Sequence, residues 1–203
     1  MSHPLFIVFE GIDGCGKSTQ LKLLCEKLKA LGRAPLPTAE PTDTPTGKML
    51  RRALSGEDKR TAAEMAALFT LDRIHHNKGE GGIEECLEKG FDVISDRYYY
   101  SSLAYQGSLV DYDWVRRMNC DCPEIRRPDL CIFLDMSPKA ALARIGKRGE
   151  AREIYEKEET LTLFRSTFLK VFDSLEDNVA IINAEGTPDE VAARVFAAVE
   201  PLL

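Results

Sequence analysis

Gly11-Ile12-Asp13-Gly14-Cys15-Gly16-Lys17-Ser18 sets glycines, a lysine and a hydroxyl at the spacing with which a backbone wraps phosphate groups. The glycines let successive N–H groups turn inward. Lys17 can then reach the β- and γ-phosphates of a nucleotide, and the Ser18 hydroxyl can hold Mg²⁺. The apolar run Leu5-Phe6-Ile7-Val8-Phe9 leads in, and apolar residues at 21, 24, 25 and 28 lead out at a helical period. Strand, loop and helix in that order give the loop its required context. Gly11, Ile12, Asp13, Gly14, Cys15, Gly16, Lys17, Ser18 and Thr19 are therefore assigned to a nucleoside triphosphate, ATP in the reading below. Cys15 stands near Lys17 and a helix N-terminus, which would activate a thiol. A small residue tolerated in the loop is the plainer reading.

A second group follows the apolar run 91–95: Asp96-Arg97-Tyr98-Tyr99-Tyr100-Ser101-Ser102-Leu103-Ala104-Tyr105-Gln106. Asp96 is placed to hold a Mg²⁺ shell or to orient Arg97, whose guanidinium can grip a phosphate bidentately. An Asp–Arg pair capping the next helix is the alternative from this stretch alone. In the helical stretch Ala66–Arg73, Phe69 and Arg73 are four apart and share a face. A ring and a guanidinium on one face can receive a base. The alternative makes Phe69 core and Arg73 a solvated charge. His75 and His76 point different ways on a helix, which argues against a metal site. Arg144, Lys147, Arg148 and Arg152, with Gly146 and Gly149 between them, read as a basic flap over a triphosphate. For Arg152 a solvated helix face is preferred.

These residues need a frame. Apolar runs recur at 5–10, 91–95, 130–134 and 179–182, with a weaker one near 34–39. Helical patterns lie at 18–31, 61–88 with a break at Gly79–Gly82, 98–106, 111–119, 137–146, 152–176 and 187–199. Strands apolar on both faces, alternating with helices, predict an α/β fold with a parallel sheet covered on both sides. Ligands of such sheets bind at the carboxyl ends of the strands, where the unusual residues fall.

A chain of 203 residues suits one domain, 1–203. Its net charge of −6 argues against a nucleic-acid polymer as partner. No apolar run approaches membrane-spanning length and the N-terminus enters a strand directly, so neither anchor nor signal peptide is expected and the cytoplasm is favoured. The six cysteines are expected as free thiols, with Cys120 and Cys122 in a reduced, partly buried loop.

Phe9-Glu10-Gly11-Ile12-Asp13-Gly14-Cys15-Gly16-Lys17-Ser18-Thr19-Gln20, Leu68-Phe69-Thr70-Leu71-Asp72-Arg73 and Asp96-Arg97-Tyr98-x-x-Ser101-Ser102-x-Ala104-Tyr105-Gln106 together resemble thymidylate kinases, in the right order over nearly the whole chain. The resemblance implies a P-loop kinase fold with a five-stranded parallel sheet flanked by helices and a basic lid at about 144–153. It implies phosphoryl transfer from ATP to dTMP with Mg²⁺, in a homodimer. Carried onto these positions, Phe69 would stack on thymine, Arg73 would reach its O4 carbonyl, and Arg97 would hold the acceptor phosphate. Asp13 would contact the deoxyribose 3′-hydroxyl or position the acceptor. Tyr105 would crowd a ribose 2′-hydroxyl, Ser101, Ser102 and Gln106 would lie near the base edge, and Arg144 would lie against adenine. Ser18 and, through water, Asp96 would hold the metal.

Two departures stand out. Some members carry an arginine inside the phosphate loop, whereas this chain has Gly14 and Cys15 there. The charge must then come from the lid, with Arg148 first and Arg144 second. Many members also place an arginine before the Glu40-Pro41 pair, where this chain has Ala39, and Arg51 on the following helix is the substitute. Rival readings are a kinase for another nucleoside monophosphate, dUMP included, and a nucleotide-dependent switch.

Overall fold

The structure is a computed structural model and describes residues 3–146 and 158–203. Five strands form one all-parallel sheet: β1 (Phe6–Glu10), β2 (Pro35–Ala39), β3 (Asp92–Asp96), β4 (Leu130–Asp135) and β5 (Val179–Asn183), in spatial order β2-β3-β1-β4-β5. The connecting helices are α1 (Lys17–Ala30), α2 (Pro45–Leu54), α3 (Ala62–Lys78), α4 (Ile83–Glu88), α5 (Tyr99–Tyr105), α6 (Tyr112–Cys120), α7 (Pro138–Ile145), α8 (Glu158–Asp173) and α9 (Pro188–Val199). Each strand expected from the apolar runs is present within about a residue at either end. The long helical pattern breaks between α3 and α4 at Gly79–Gly82, as its glycines predict. Local chemistry sets the helix starts. Thr61 with Glu64 and Thr187 with Glu190 form capping boxes at α3 and α9.

Sheet position explains which strands are apolar throughout. The central β1 is buried at every residue, and β3 and β4 at all but their last. The edge strands β2 and β5 are only partly covered, so apolar runs predicted both-face burial where one edge lies open. Ile181 on β5 is 54% exposed for this reason. On one side of the sheet Phe133, Phe168 and Phe172 pack ring on ring, with Tyr100 and Tyr105 at their margin.

Register brings the polar strand ends to one edge. Phe9 pairs with Asp96, Ala39 with Asp96, Glu10 with Phe133, and Asp135 with Asn183. Glu10, Ala39, Asp96, Asp135 and Asn183 therefore end their strands along one rim, where the phosphate loop also sits. Arg165 of α8 grips Asp135 with Nε–Oδ1 at 2.5 Å and Nη2–Oδ2 at 2.8 Å, which ties that helix to the same rim. Arg148, and Lys147, Gly149 and Arg152 beside it, lie outside the described residues.

Candidate active site

Between β1 and α1 the chain turns through Gly11, Gly14 and Gly16, all at positive φ. At Gly14 (φ 82°) a Cβ would sit 2.6 Å from the Ala141 carbonyl oxygen and 2.9 Å from Ile145 Cγ1, both on α7. Packing of α7 on the loop thus explains why no larger residue stands there. Cys15 is 1% exposed, and burial pushes its thiol up, which makes it the inert small residue of the plainer reading. Neither position offers a side chain to a phosphate. Gly14→Ala is expected to destabilise the fold by about 2 kcal/mol or more, from the backbone clash and the left-handed φ together. Urea unfolding of the variant checks this; an unchanged midpoint would mean that α7 does not bear on the loop.

Lys17, buried at the first turn of α1, places Nζ 3.1 Å from the Gly11 carbonyl and 3.7 Å from Asp13 Oδ1. Asp13 also pairs with the Arg97 guanidinium. Burial pushes the Asp13 carboxyl up, but Arg97 and Lys17 outweigh it and hold the group below the usual carboxylate range.

Arg97 is the one residue other than glycine at positive φ among the described residues (72°), and it follows β3 directly. One guanidinium nitrogen goes to Asp13. The other donates to Ser101 Oγ at 3.1 Å and reaches the Tyr105 hydroxyl at 3.5 Å. Its face lies over the Tyr105 ring, 5.5 Å from the centroid. Asp13, Arg97, Ser101, Tyr105 and Gln106 line one open cavity with Phe69, Leu54 and Pro41. Phe69 is half-buried and stands in this wall, outside the core. The tyrosines between Arg97 and Ser101 turn away into the core. The Tyr98 hydroxyl donates to Asn77, and those of Tyr99 and Tyr100 to Asp177 at 2.5 and 2.9 Å.

Behind this wall lies a second polar layer. Arg73 is 1% exposed and does not line the cavity. It donates to Glu40 Oε2 through Nε (2.9 Å) and Nη2 (2.6 Å), to Ser102 Oγ, and to Asn119. The other Glu40 oxygen meets His76 Nδ1 at 3.0 Å, and His76 Nε2 meets Thr38 Oγ1 at 2.7 Å. Thus Glu40, Arg73 and Ser102 form one buried network beside the cavity. Arg51 stands outside this network. It donates to the Thr42 and Pro41 carbonyls and pairs with Asp43, at a neighbouring recess that includes Ala39.

Asp13 of the phosphate loop thus lines the cavity that holds Arg97 and Phe69, and a second recess adjoins the loop at Gly14, Cys15 and Gly16. The sequence model for thymidylate kinase matches residues 9–195. A probable thymidylate kinase of Pyrococcus horikoshii is 38% identical over 201 residues, covering 96% of this chain and 95% of the relative. One from Pyrobaculum aerophilum is 41% identical over 192 residues, covering 94% and 93%. The thymidylate kinase of Leptospira interrogans is 40% identical over 169 residues, covering 83% and 81%. The chain belongs to the thymidylate kinase family.

Thymidylate kinases are enzymes that phosphorylate dTMP to dTDP with ATP. On the donor side of this one, Arg144 of α7 donates to the carbonyls of Cys15 (3.2 Å), Ala184 (3.2 Å) and Gly186 (3.3 Å). It lines an open recess with Gly14, Cys15, Gly16, Thr19, Gln20, Gly186, Pro188 and Val191. That recess abuts the phosphate loop. Ser18 Oγ donates to Asp96 Oδ2 at 3.1 Å, although the two are far apart in sequence. Asp96 Oδ1 is buried without a hydrogen-bond partner among the described residues. A hydroxyl beside a carboxylate with a spare oxygen fits a Mg²⁺ ion held through water. No cluster of three or more His, Cys, Asp or Glu residues suited to a metal occurs among the described residues, so a nucleotide's own oxygens would complete such a site. No helix among the described residues is long and apolar enough to cross a membrane.

Reading residues by type overlooked Glu10. It ends β1 fully buried, and its carboxylate accepts from the backbone N–H groups of Tyr98 (2.9 Å) and Ser101 (3.1 Å) and from Ser101 Oγ (2.7 Å). The available signal was an acid closing an otherwise apolar strand. Burial pushes its carboxyl up to about 7, against the pull of Arg97 and its hydrogen bonds. The folded protein holds this proton more tightly than the unfolded chain. Its stabilising contribution is full below about pH 4.5, the ordinary glutamate value, and is lost as pH rises through about 7. The loss is roughly 3 kcal/mol. Urea unfolding from pH 4.5 to 7.5 should show this decline, and Glu10→Gln should flatten it. An identical decline in the variant would assign it to other groups.

Proposed function

We propose that this enzyme moves the γ-phosphoryl group of ATP onto dTMP by alignment and charge neutralisation, with each partner held on its own side of Asp13. What supports the acceptor half is one observation: Phe69, Tyr105, Arg97 and Asp13 meet in a single cavity beside the phosphate loop. Phe69 stacks on thymine, Tyr105 crowds a ribose 2′-hydroxyl, and Arg97 grips the dTMP phosphate. Asp13 orients Arg97 and the sugar side of the acceptor. Arg73, Glu40 and Ser102 set the polar back of the base site, and Arg51 stiffens the loop after Glu40.

On the donor side the loop N–H groups from Gly11 to Thr19 cradle the phosphates and Arg144 borders adenine. Lys17 spreads the charge of the transferred group. Ser18 and Asp96 would hold Mg²⁺, which when bound neutralises charge on the β- and γ-phosphates. Arg148, whose position lies outside the described residues, is proposed as the lid arginine for the transferred group. No general base is needed, because the attacking phosphate oxygen is already ionised. The proposal includes a homodimer and the cytoplasm.

A coupled assay of ADP release over a panel of nucleoside monophosphates tests the reading. Turnover is expected with dTMP and much less with its ribose analogue, and dUMP should lose only the 1–3 kcal/mol that a methyl slot can discriminate. Equal kcat/KM across the panel would overturn it, and a solution mass of one chain would remove the dimer.

A further inference from the structure

We propose that Glu10 is a positioning residue for the acceptor phosphate: through Ser101 and the backbone after Arg97, its carboxylate aims the Arg97 guanidinium into the acceptor cavity. The inference rests on the reading of Arg97 as the phosphate grip.

Two linkages carry it. An ionised carboxylate only accepts hydrogen bonds, so the Ser101 hydroxyl proton must point at Glu10 Oε2, 2.7 Å away. The Ser101 oxygen then faces Arg97 with its lone pairs, and Arg97 Nη1 donates to it at 3.1 Å. The direction of this chain is therefore dictated by Glu10. The second linkage is through the backbone. Tyr98 N–H, held by Glu10 Oε1, belongs to the peptide immediately after Arg97, which stands at φ 72°. A left-handed arginine persists only where its surroundings over-determine it. Glu10 provides that restraint from β1, a strand locked to β3 by register, and the Ser101 N–H bond fixes the first turn of α5 to the same carboxylate.

Glutamine at this place keeps an oxygen for the two backbone N–H groups but turns an NH₂ donor toward Ser101. The serine hydroxyl proton then loses its acceptor and competes with Arg97 for space around the same oxygen. Arg97 keeps its charge and its Asp13 partner, but its aim loosens.

The test is steady-state kinetics at pH 8, above the Glu10 value, on Glu10→Gln, Ser101→Ala, the double variant and Arg97→Ala. Glu10→Gln and Ser101→Ala should each raise KM for dTMP by roughly tenfold. For both, kcat should change less than about threefold, with KM for ATP unmoved. Because both act through one chain, the double variant should be no worse than the worse single. Ser101→Thr, which keeps the hydroxyl, should recover most of the loss. A role in capping α5 alone would instead lower stability and move both substrates' KM together, and that outcome overturns the proposal. So do multiplicative effects in the double variant. Should Glu10→Gln fail to fold, Ser101→Ala against Ser101→Thr decides alone, an unchanged KM for dTMP overturning the relay. If Arg97→Ala raises KM for dTMP and Ser101→Ala does not, only the relay falls. If Arg97→Ala itself leaves KM unchanged, the reading of Arg97 falls with it.

Discussion

Lys17→Ala should lower kcat by about 10³-fold while leaving dTMP binding within a few-fold of the parent enzyme. Lys17 sits at the first turn of α1, buried, with its ammonium against the Gly11 carbonyl and Asp13. From there a short swing of a flexible stem brings the charge to a phosphate on the loop. The acceptor cavity does not depend on it. Arg97, Ser101, Tyr105 and Phe69 line that space from other elements, and Arg97 still neutralises Asp13. The loss should therefore fall on the chemical step, where charge on the transferred group is greatest. Measuring kcat alongside dTMP affinity by calorimetry separates the two, and near-normal turnover would remove the loop lysine from the mechanism.

Arg97→Ala should cut kcat/KM for dTMP by about 10²–10³-fold, and Arg97→Lys by more than tenfold despite its retained charge. Two geometric facts set these sizes. The guanidinium forks between Asp13 on one side and Ser101 and Tyr105 on the other, which a single ammonium cannot reproduce. Removing it also takes the main partner from half-buried Asp13 and leaves it Lys17, so part of the penalty falls on stability, on the order of 1–2 kcal/mol. The backbone supplies an internal control. At φ 72° a Cβ is strained and glycine is not, so Arg97→Gly should be more stable than Arg97→Ala by about 1 kcal/mol while being equally inactive. Equal unfolding midpoints for the two variants would show that the left-handed conformation is not held in the variants.

Legibility followed the range of the interactions. The strands were visible because apolar runs report burial directly, and the break at Gly79–Gly82 because glycine acts locally. The helix α2 escaped the periodicity reading, in which only Arg51 marked it. Its start depends on Thr44 capping Gly47 N–H, with Pro45 opening the helix and Asp72 of α3 holding Thr42 and Thr46. Their four-residue spacing puts Phe69 and Arg73 on one face of α3. They share that helix but divide its work, Phe69 toward the cavity and Arg73 into the network with Glu40, Ser102 and Asn119. Which side chain reaches the cavity depends on partners from the loop after β2, from α5 and from α6, none of which a helical period contains.

By itself the sequence determined the phosphate loop, its strand and its helix, because backbone N–H groups and glycine torsions within a few residues make that structure. It also determined the parallel sheet, since burial on both faces is written in composition. The tertiary structure alone decided what stands on either side of the loop. Packing of α7 excludes a side chain at Gly14, register sets Asp96 against Ser18, and Glu10 reaches across to Tyr98 and Ser101. The three hydrogen bonds among these contacts join residues 78, 88 and 91 positions apart. Only the closing of the sheet fixes their distances, and a buried carboxylate takes its meaning from whichever donors that closure brings to it.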